Sequence, residues 1–104
     1  VFVDKYNFTV LQEREMMRQA FEDIEECFLL IAETSDKGIG IGVEVGYAKA
    51  KNKPIIYVRE KNAPHSTTVC GTSDYQIIYS NLKELKDRLT DVLNNIWANR
   101  LDKY

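Results

Sequence analysis

The hydrophobic positions change period several times along the chain, and each change predicts a different element. Val1-Phe2-Val3 is a short β-branched and aromatic run that reads as a strand. A polar turn from Asp4 to Phe8 leads to Thr9, which with Gln12 three positions later forms a capping-box pattern. Leu11, Met16, Met17, Ala20, Phe21 and Ile24 then recur at helical spacing, with Glu13, Arg14, Arg18, Glu22 and Glu25 on the opposite face. Phe28-Leu29-Leu30-Ile31-Ala32 is apolar without alternation, the pattern of a strand covered on both faces in a parallel sheet. Polar residues from Glu33 to Lys37 follow, and then Gly38, Gly40, Gly42 and Gly46.

Val43, Gly46, Tyr47 and Ala50 predict one face of a second helix that ends near Lys51-Asn52-Lys53. Pro54 introduces the strand Ile55-Ile56-Tyr57-Val58. A polar loop runs from Glu60 to Asp74, and Tyr75-Gln76-Ile77-Ile78-Tyr79 is a further strand. Leu82, Leu85, Leu89, Val92, Leu93 and Ile96 share one face of a C-terminal helix, with Trp97 beside it. Alternation of strands and helices predicts an α/β fold of parallel strands with helices on the faces. Ligands of such sheets bind beyond the carboxyl ends of the strands, where the loops 33–42 and 59–74 would lie.

Composition narrows the functional classes. A length of 104 residues predicts a single domain over 1–104. With 44 % apolar and 29 % charged residues the chain is globular rather than disordered. A net charge of -2 argues against a nucleic-acid polymer as partner, because a polyanion needs a basic face. No apolar run reaches membrane-spanning length and the N-terminus is not a signal peptide, so a cytoplasmic protein with no membrane partner is expected. Cys27, Cys70 and His65 form no zinc-binding spacing, so no metal site is expected. The cysteines read as two buried or semi-buried thiols in a reducing compartment.

The stretch from Leu29 to Ala48 carries the candidate chemistry. Gly38, Gly40 and Gly42 alternate ahead of a predicted helix start, where glycine lets backbone approach a ligand and free N–H groups favour an anion. The spacing is neither GxGxxG nor a P-loop. Glu44 stands alone among small and apolar residues, in the expected first turn of the helix. Two readings are open for it. It either complements the helix dipole, worth ~0.3–1 kcal/mol, or is a carboxylate held by backbone donors beside a cleft. In the second case it can attack an anomeric carbon or stabilise an oxocarbenium-like transition state.

The Gly-x-Gly-x-Glu-x-Gly-Tyr-Ala core from Gly40 to Ala48 resembles the signature of nucleoside 2-deoxyribosyltransferases. It is equally similar to the related 2'-deoxynucleoside 5'-monophosphate N-hydrolases. The preceding Leu-Leu-Ile-Ala-Glu run fits as well. Asn52-Lys53-Pro54-Ile55 matches the family's Gly-Lys-Pro turn, with Asn52 in place of glycine, so the likeness covers about residues 24–96. The resemblance implies a three-layer, Rossmann- or flavodoxin-like parallel sheet. It implies an N-glycosidase or deoxyribosyltransferase acting on nucleosides or their 5'-monophosphates, without a cofactor. Glu44 takes the place of the nucleophile that forms a covalent glycosyl intermediate.

His65 to Gly71 resembles the family's Ser-x-x-x-x-Gly loop, whose serine in the monophosphate hydrolases reaches the phosphate bound in the neighbouring subunit. This implies that Ser66 binds substrate together with Gly38, Gly40 and Gly42, and that the protein is a homo-oligomer, a dimer or higher. His65 would contact phosphate or base. The plainer alternatives are a turn stitched by the hydroxyls of Ser66, Thr67 and Thr68, and a solvent-exposed His65. Asp36 and Glu33 are candidates to protonate the leaving base; Phe8 or Tyr6 could stack on it, with exposed turn packing as the plainer role. The chain departs from the family at Phe28, where an aspartate contacts the sugar, and at Gly38, where serine or aspartate is common. It also begins at the family's second strand, which implies a sheet without the first strand and helix and with two exposed edges. Either the chain is an N-terminally incomplete piece of a longer protein or another subunit covers the gap, and an unpaired edge favours association. The same fold without turnover, as a nucleotide-binding module or an interaction domain, is the alternative.

Overall fold

Thr9 and Gln12 cap the first helix as their spacing predicts. The Thr9 amide donates to Gln12 Oε1 at 2.8 Å and the Gln12 amide donates to Thr9 Oγ1 at 3.2 Å. In the computed structural model, which describes residues 8–35 and 38–101, this helix is α1 (Val10–Glu26). It is followed by β1 (Leu30–Glu33), α2 (Ile39–Ala50), β2 (Ile55–Glu60), α3 (Thr67–Thr72), β3 (Tyr75–Tyr79) and α4 (Leu82–Leu101). The strands are parallel in the order β1-β2-β3, with Leu30 opposite Ile55 and Ile56 opposite Tyr75. The strand proposed for Val1 to Val3 lies outside the described residues.

The pleat of β2 builds the core. Ile55, Ile56 and Tyr57 are all fully buried and point alternately to the two faces. Ile55 and Tyr57 pack with Ile24 of α1, Val45 and Ala48 of α2, and Val69 and Cys70 of α3. Ile56 and Val58 pack with Ile77 of β3 and Ile96 of α4. Three helices therefore cover one face and α4 the other, which is the three-layer α/β arrangement expected of a Rossmann- or flavodoxin-like sheet.

Several expectations are corrected by this packing. The apolar run at Phe28 does not enter the sheet until Leu30, whose amide donates to Pro54 O at 2.9 Å. β1 is an edge of the described sheet and not a strand covered on both faces: Ala32 is buried, but Ile31 is 43 % exposed. Unbroken burial belongs to β2, the strand paired on both sides. The Glu60–Asp74 loop contains α3. The sheet-facing residues of α2 are Val45 and Ala48 with Ile41, whereas Val43, Gly46 and Ala50 of the predicted face are exposed. Tyr47 lies against the core cluster and also stacks on Phe21 of α1, with ring centroids 4.3 Å apart. Leu11 and Leu82 are 75 % and 77 % exposed, each in the first turn of its helix, outside both core clusters. Cys27 is exposed and Cys70 buried, so only one thiol is sheltered.

The turn from α2 into β2 explains a substitution noted in the sequence. Asn52 has φ 59°, in the left-handed region that favours glycine. Its amide donates to Lys49 O at 3.1 Å and that of Lys53 to Ala48 O at 3.0 Å, the paired bonds of a Schellman motif. Asparagine tolerates this conformation better than other side-chain-bearing residues do, so the turn survives the loss of glycine.

Candidate active site

The carboxyl end of the sheet is shaped by how β1 and β2 finish. Thr34, 2 % exposed, is drawn onto β2: its amide donates to Val58 O at 2.9 Å and its hydroxyl lies 3.5 Å from the same oxygen. Ser35 Oγ accepts from the Glu60 amide at 3.0 Å. These bonds fasten the end of β1 just before the chain turns toward α2. Gly38 is the N-cap of α2 in an extended conformation, and among the described residues no side chain caps that end. The first N–H groups of α2 are thus left for solvent or a ligand, at the positive end of the helix dipole.

A cleft of about 540 Å³ opens between this helix end and α3, lined by Thr34, Gly38, Ile41, Gly42, Ser66 and Val69 among others. Its size is that of a small-molecule site. A larger cavity of about 740 Å³ lies at the opposite, amino ends of the strands, beside Phe28, Pro54 and Asp74. In parallel sheets ligands collect beyond the carboxyl ends, so the smaller cleft is the candidate site.

The structure gathers Gly38, Gly42 and Ser66 around this cleft. Ser66 is the N-cap of α3, with its Oγ accepting from the Val69 amide at 3.4 Å, so the hydroxyl stitches the turn while keeping its own proton to donate. Gly40, the second residue of α2, is half-buried and outside the cleft lining. His65 is exposed at the edge of the site, against Tyr57. Asp36 lies outside the described residues.

Glu44 is placed differently from expectation. Helix α2 starts at Ile39, so Gly40 and Gly42 are inside it and Glu44 is in its second turn. A carboxylate there is beyond the free amides of the first turn. Glu44 is half-buried and has no hydrogen-bond or ion-pair partner among the described residues. It is not among the cleft-lining residues and shares a helix face with Tyr47, which packs on α1. No described glycine adopts a positive φ. The space these glycines leave is instead steric: a Cβ on Gly38 or Gly42 would meet nothing within 4 Å.

Glu33 ends β1 on the sheet face opposite Ala32. Tyr79 Oη donates to its Oε2 at 2.8 Å, and the Ser35 amide donates to its Oε1. Burial pushes the Glu33 carboxyl up, but the donors from Ser35 and Tyr79 outweigh it and hold the group below the usual carboxylate range. Glu33 is therefore ionised at neutral pH and does not hold the proton a leaving base requires. The same bond pushes the Tyr79 hydroxyl up.

Three contributors were not singled out from sequence. Thr34 looked like one loop polar residue among several. Tyr57 looked like core. Arg59 Nη1 donates to Ala63 O at 2.6 Å and Lys61 O at 3.2 Å, tying down the β2–α3 loop. No local pattern marks the roles of Thr34 and Tyr57, because each depends on a segment further along the chain.

No protein-family model matches the chain. It is 41 % identical over 73 residues to a protein of Syntrophotalea carbinolica (strain DSM 2380 / NBRC 103641 / GraBd1) named as an inferred 2'-deoxynucleoside 5'-phosphate N-hydrolase 1. That match takes in 67 % of this chain and 51 % of the relative, so the chain spans about half the length of the curated relative it matches. Its fold is similar to the solved structure of the Clostridium botulinum CMP N-glycosidase BcmB. The TM-score is 0.67 and the identity 26 %, over 76 % of this chain and 74 % of that one.

Proposed function

Because the chain belongs to the nucleoside 2-deoxyribosyltransferase family, we propose that it cleaves the N-glycosidic bond of a nucleoside 5'-monophosphate by hydrolysis. The observation that carries this reading is the 41 % identity to a protein named for that hydrolysis. The uncapped amino end of α2 supports it, because Gly38 and Gly42 there leave room for an anionic ligand beside Ser66.

In this reading the Glu44 carboxylate attacks the anomeric carbon. The C–N bond breaks with its electron pair passing to the base, and Asp36 supplies the proton. Water, giving a proton to the Asp36 carboxylate, then displaces the sugar from Glu44, which regenerates the Glu44 carboxylate and reprotonates Asp36. Transfer to a second base would use the same intermediate. The phosphate sits against Gly38, Gly42 and Ser66, which line one cleft of a single chain, and a second copy of the chain packs beside them. The exposed apolar residues of α2, Ile39 at 89 % and Val43 at 45 %, support such association.

The test is free-base release from a panel of nucleosides and 5'-monophosphates, with Glu44→Ala alongside. Release that vanishes in the variant while the fold persists is the expected result. Unchanged release would overturn the role of Glu44. One observation favours a second reading, a nucleotide-binding module without turnover: Glu44 stands outside the cleft lining. A rise in Tm with nucleotide but no base release from any substrate would select it.

A further inference from the structure

Tyr57 is fully buried in the middle of β2, yet its hydroxyl reaches out of the sheet. The Ser66 amide donates to Tyr57 Oη at 3.1 Å, and His65 Nδ1 lies 3.4 Å from the same oxygen. The two rings meet edge to face, 5.7 Å between centroids. A phenol has one proton to donate and accepts at its oxygen. Ser66 occupies the accepting side. For the proton, His65 Nδ1 is the acceptor offered among the described residues. The reverse arrangement, with Nδ1–H donating, would bring a second proton to Oη and leave the hydroxyl's own proton unpaired, which a buried site disfavours. A neutral imidazole has a single N–H, so with Nδ1 accepting, the proton is on Nε2.

We propose that Tyr57 is a positioning residue that holds His65 in the Nε2–H form, giving the β2–α3 loop a neutral donor to a phosphate oxygen of the nucleotide that Ser66 reaches. The phosphate contact rests on the substrate-binding reading of Ser66 and His65; the tautomer does not. Phosphate oxygens only accept at neutral pH, so a donor at Nε2 attracts them and an unprotonated Nε2 repels them. A nucleoside gains nothing from this donor, so the device selects for the 5'-phosphate.

His65 is the chain's one histidine, so long-range ¹H–¹⁵N correlation spectra of labelled protein report it alone. At a pH where the ring is neutral, wild type should show a pyridine-type Nδ1 and a pyrrole-type Nε2, and Tyr57→Phe should move both toward averaged values. A protonated Nδ1 in wild type, or nitrogen shifts unchanged by Tyr57→Phe, would overturn the tautomer assignment. In base-release assays, Tyr57→Phe and His65→Ala should each raise KM for 5'-monophosphates by about three- to tenfold, the loss of one hydrogen bond. KM for nucleosides should rise by less. His65→Gln, whose amide N–H stands near the place of Nε2, should restore the wild-type value. Equal KM rises for nucleosides and nucleotides, or no rescue by glutamine, would sink the phosphate contact. Should wild type release no base at all, the hydrolase reading fails and inorganic phosphate in the NMR sample replaces the kinetic test. A phosphate-dependent Nε2 shift that Tyr57→Phe abolishes then supports the contact, and its absence in wild type refutes it.

Discussion

Replacing Gly42 by alanine should make the protein more stable and, on the proposed hydrolase reading, weaken its hold on the nucleotide. Gly42 is inside α2 and exposed, its φ is not positive, and an added Cβ would meet nothing within 4 Å. Nothing among the described residues opposes a methyl group. Glycine in a helix interior costs roughly 0.5–1 kcal/mol relative to alanine, largely through the entropy of the unfolded chain. For a domain of this size that corresponds to a Tm rise of about 2–8 °C. The same methyl would stand at the cleft that Gly42 lines, so KM for the nucleotide should rise by about tenfold, the equivalent of ~1.4 kcal/mol of lost binding. Circular-dichroism melting and chromatographic base release on one preparation measure both. A fall in Tm would show that the backbone itself needs glycine there. A rise in Tm with KM unchanged would show that the open space is not used by the ligand, and the argument from the glycines would fail.

Asn52→Ala should cost about 1 kcal/mol, because alanine loses asparagine's tolerance of φ 59°, while Asn52→Gly should hold or gain stability. Urea unfolding with an unchanged slope would check both. Ile56→Ala removes a fully buried side chain between β3 and α4 and should lower stability by about 2–5 kcal/mol in the same assay. The Glu33 carboxyl is held below its unfolded value of 4.5, so it stabilises the fold above that pH, and the contribution is lost as pH falls through the folded value. Tyr79→Phe removes one of the donors responsible. The variant should be less stable than wild type at pH 6, with the difference shrinking below pH 4.5. A difference independent of pH would refute the role given to this bond.

Much of the fold was legible because it depends on local chemistry. The Thr9–Gln12 cap and the alternation of elements follow from residues close in sequence, whereas unbroken burial, expected at Phe28 to Ala32, falls on Ile55 to Val58 of the strand paired on both sides. The candidate site was legible only in outline. Gly38, Gly42 and Ser66 line one cleft. The first turn of α2 was placed too late, because three glycines look like a loop when read for propensity. Packing of Ile41, Val45 and Ala48 on the sheet overrides that preference and carries the helix back to Ile39. That shift moves Glu44 from the first turn to the second.

The sequence by itself determined the class of sheet, the positions of most helices and the segment where chemistry belongs, since hydrophobic period, caps and breakers act over a few residues. Tertiary structure alone decided which face each helix presents and which side chains meet. Tyr47 stacks on Phe21 of α1; Glu33 becomes a partner of Tyr79; the hydroxyl of Tyr57 meets Ser66 and His65. Such contacts join residues distant in the chain or on different elements, and their geometry exists only once the strands have paired and the helices have closed over them.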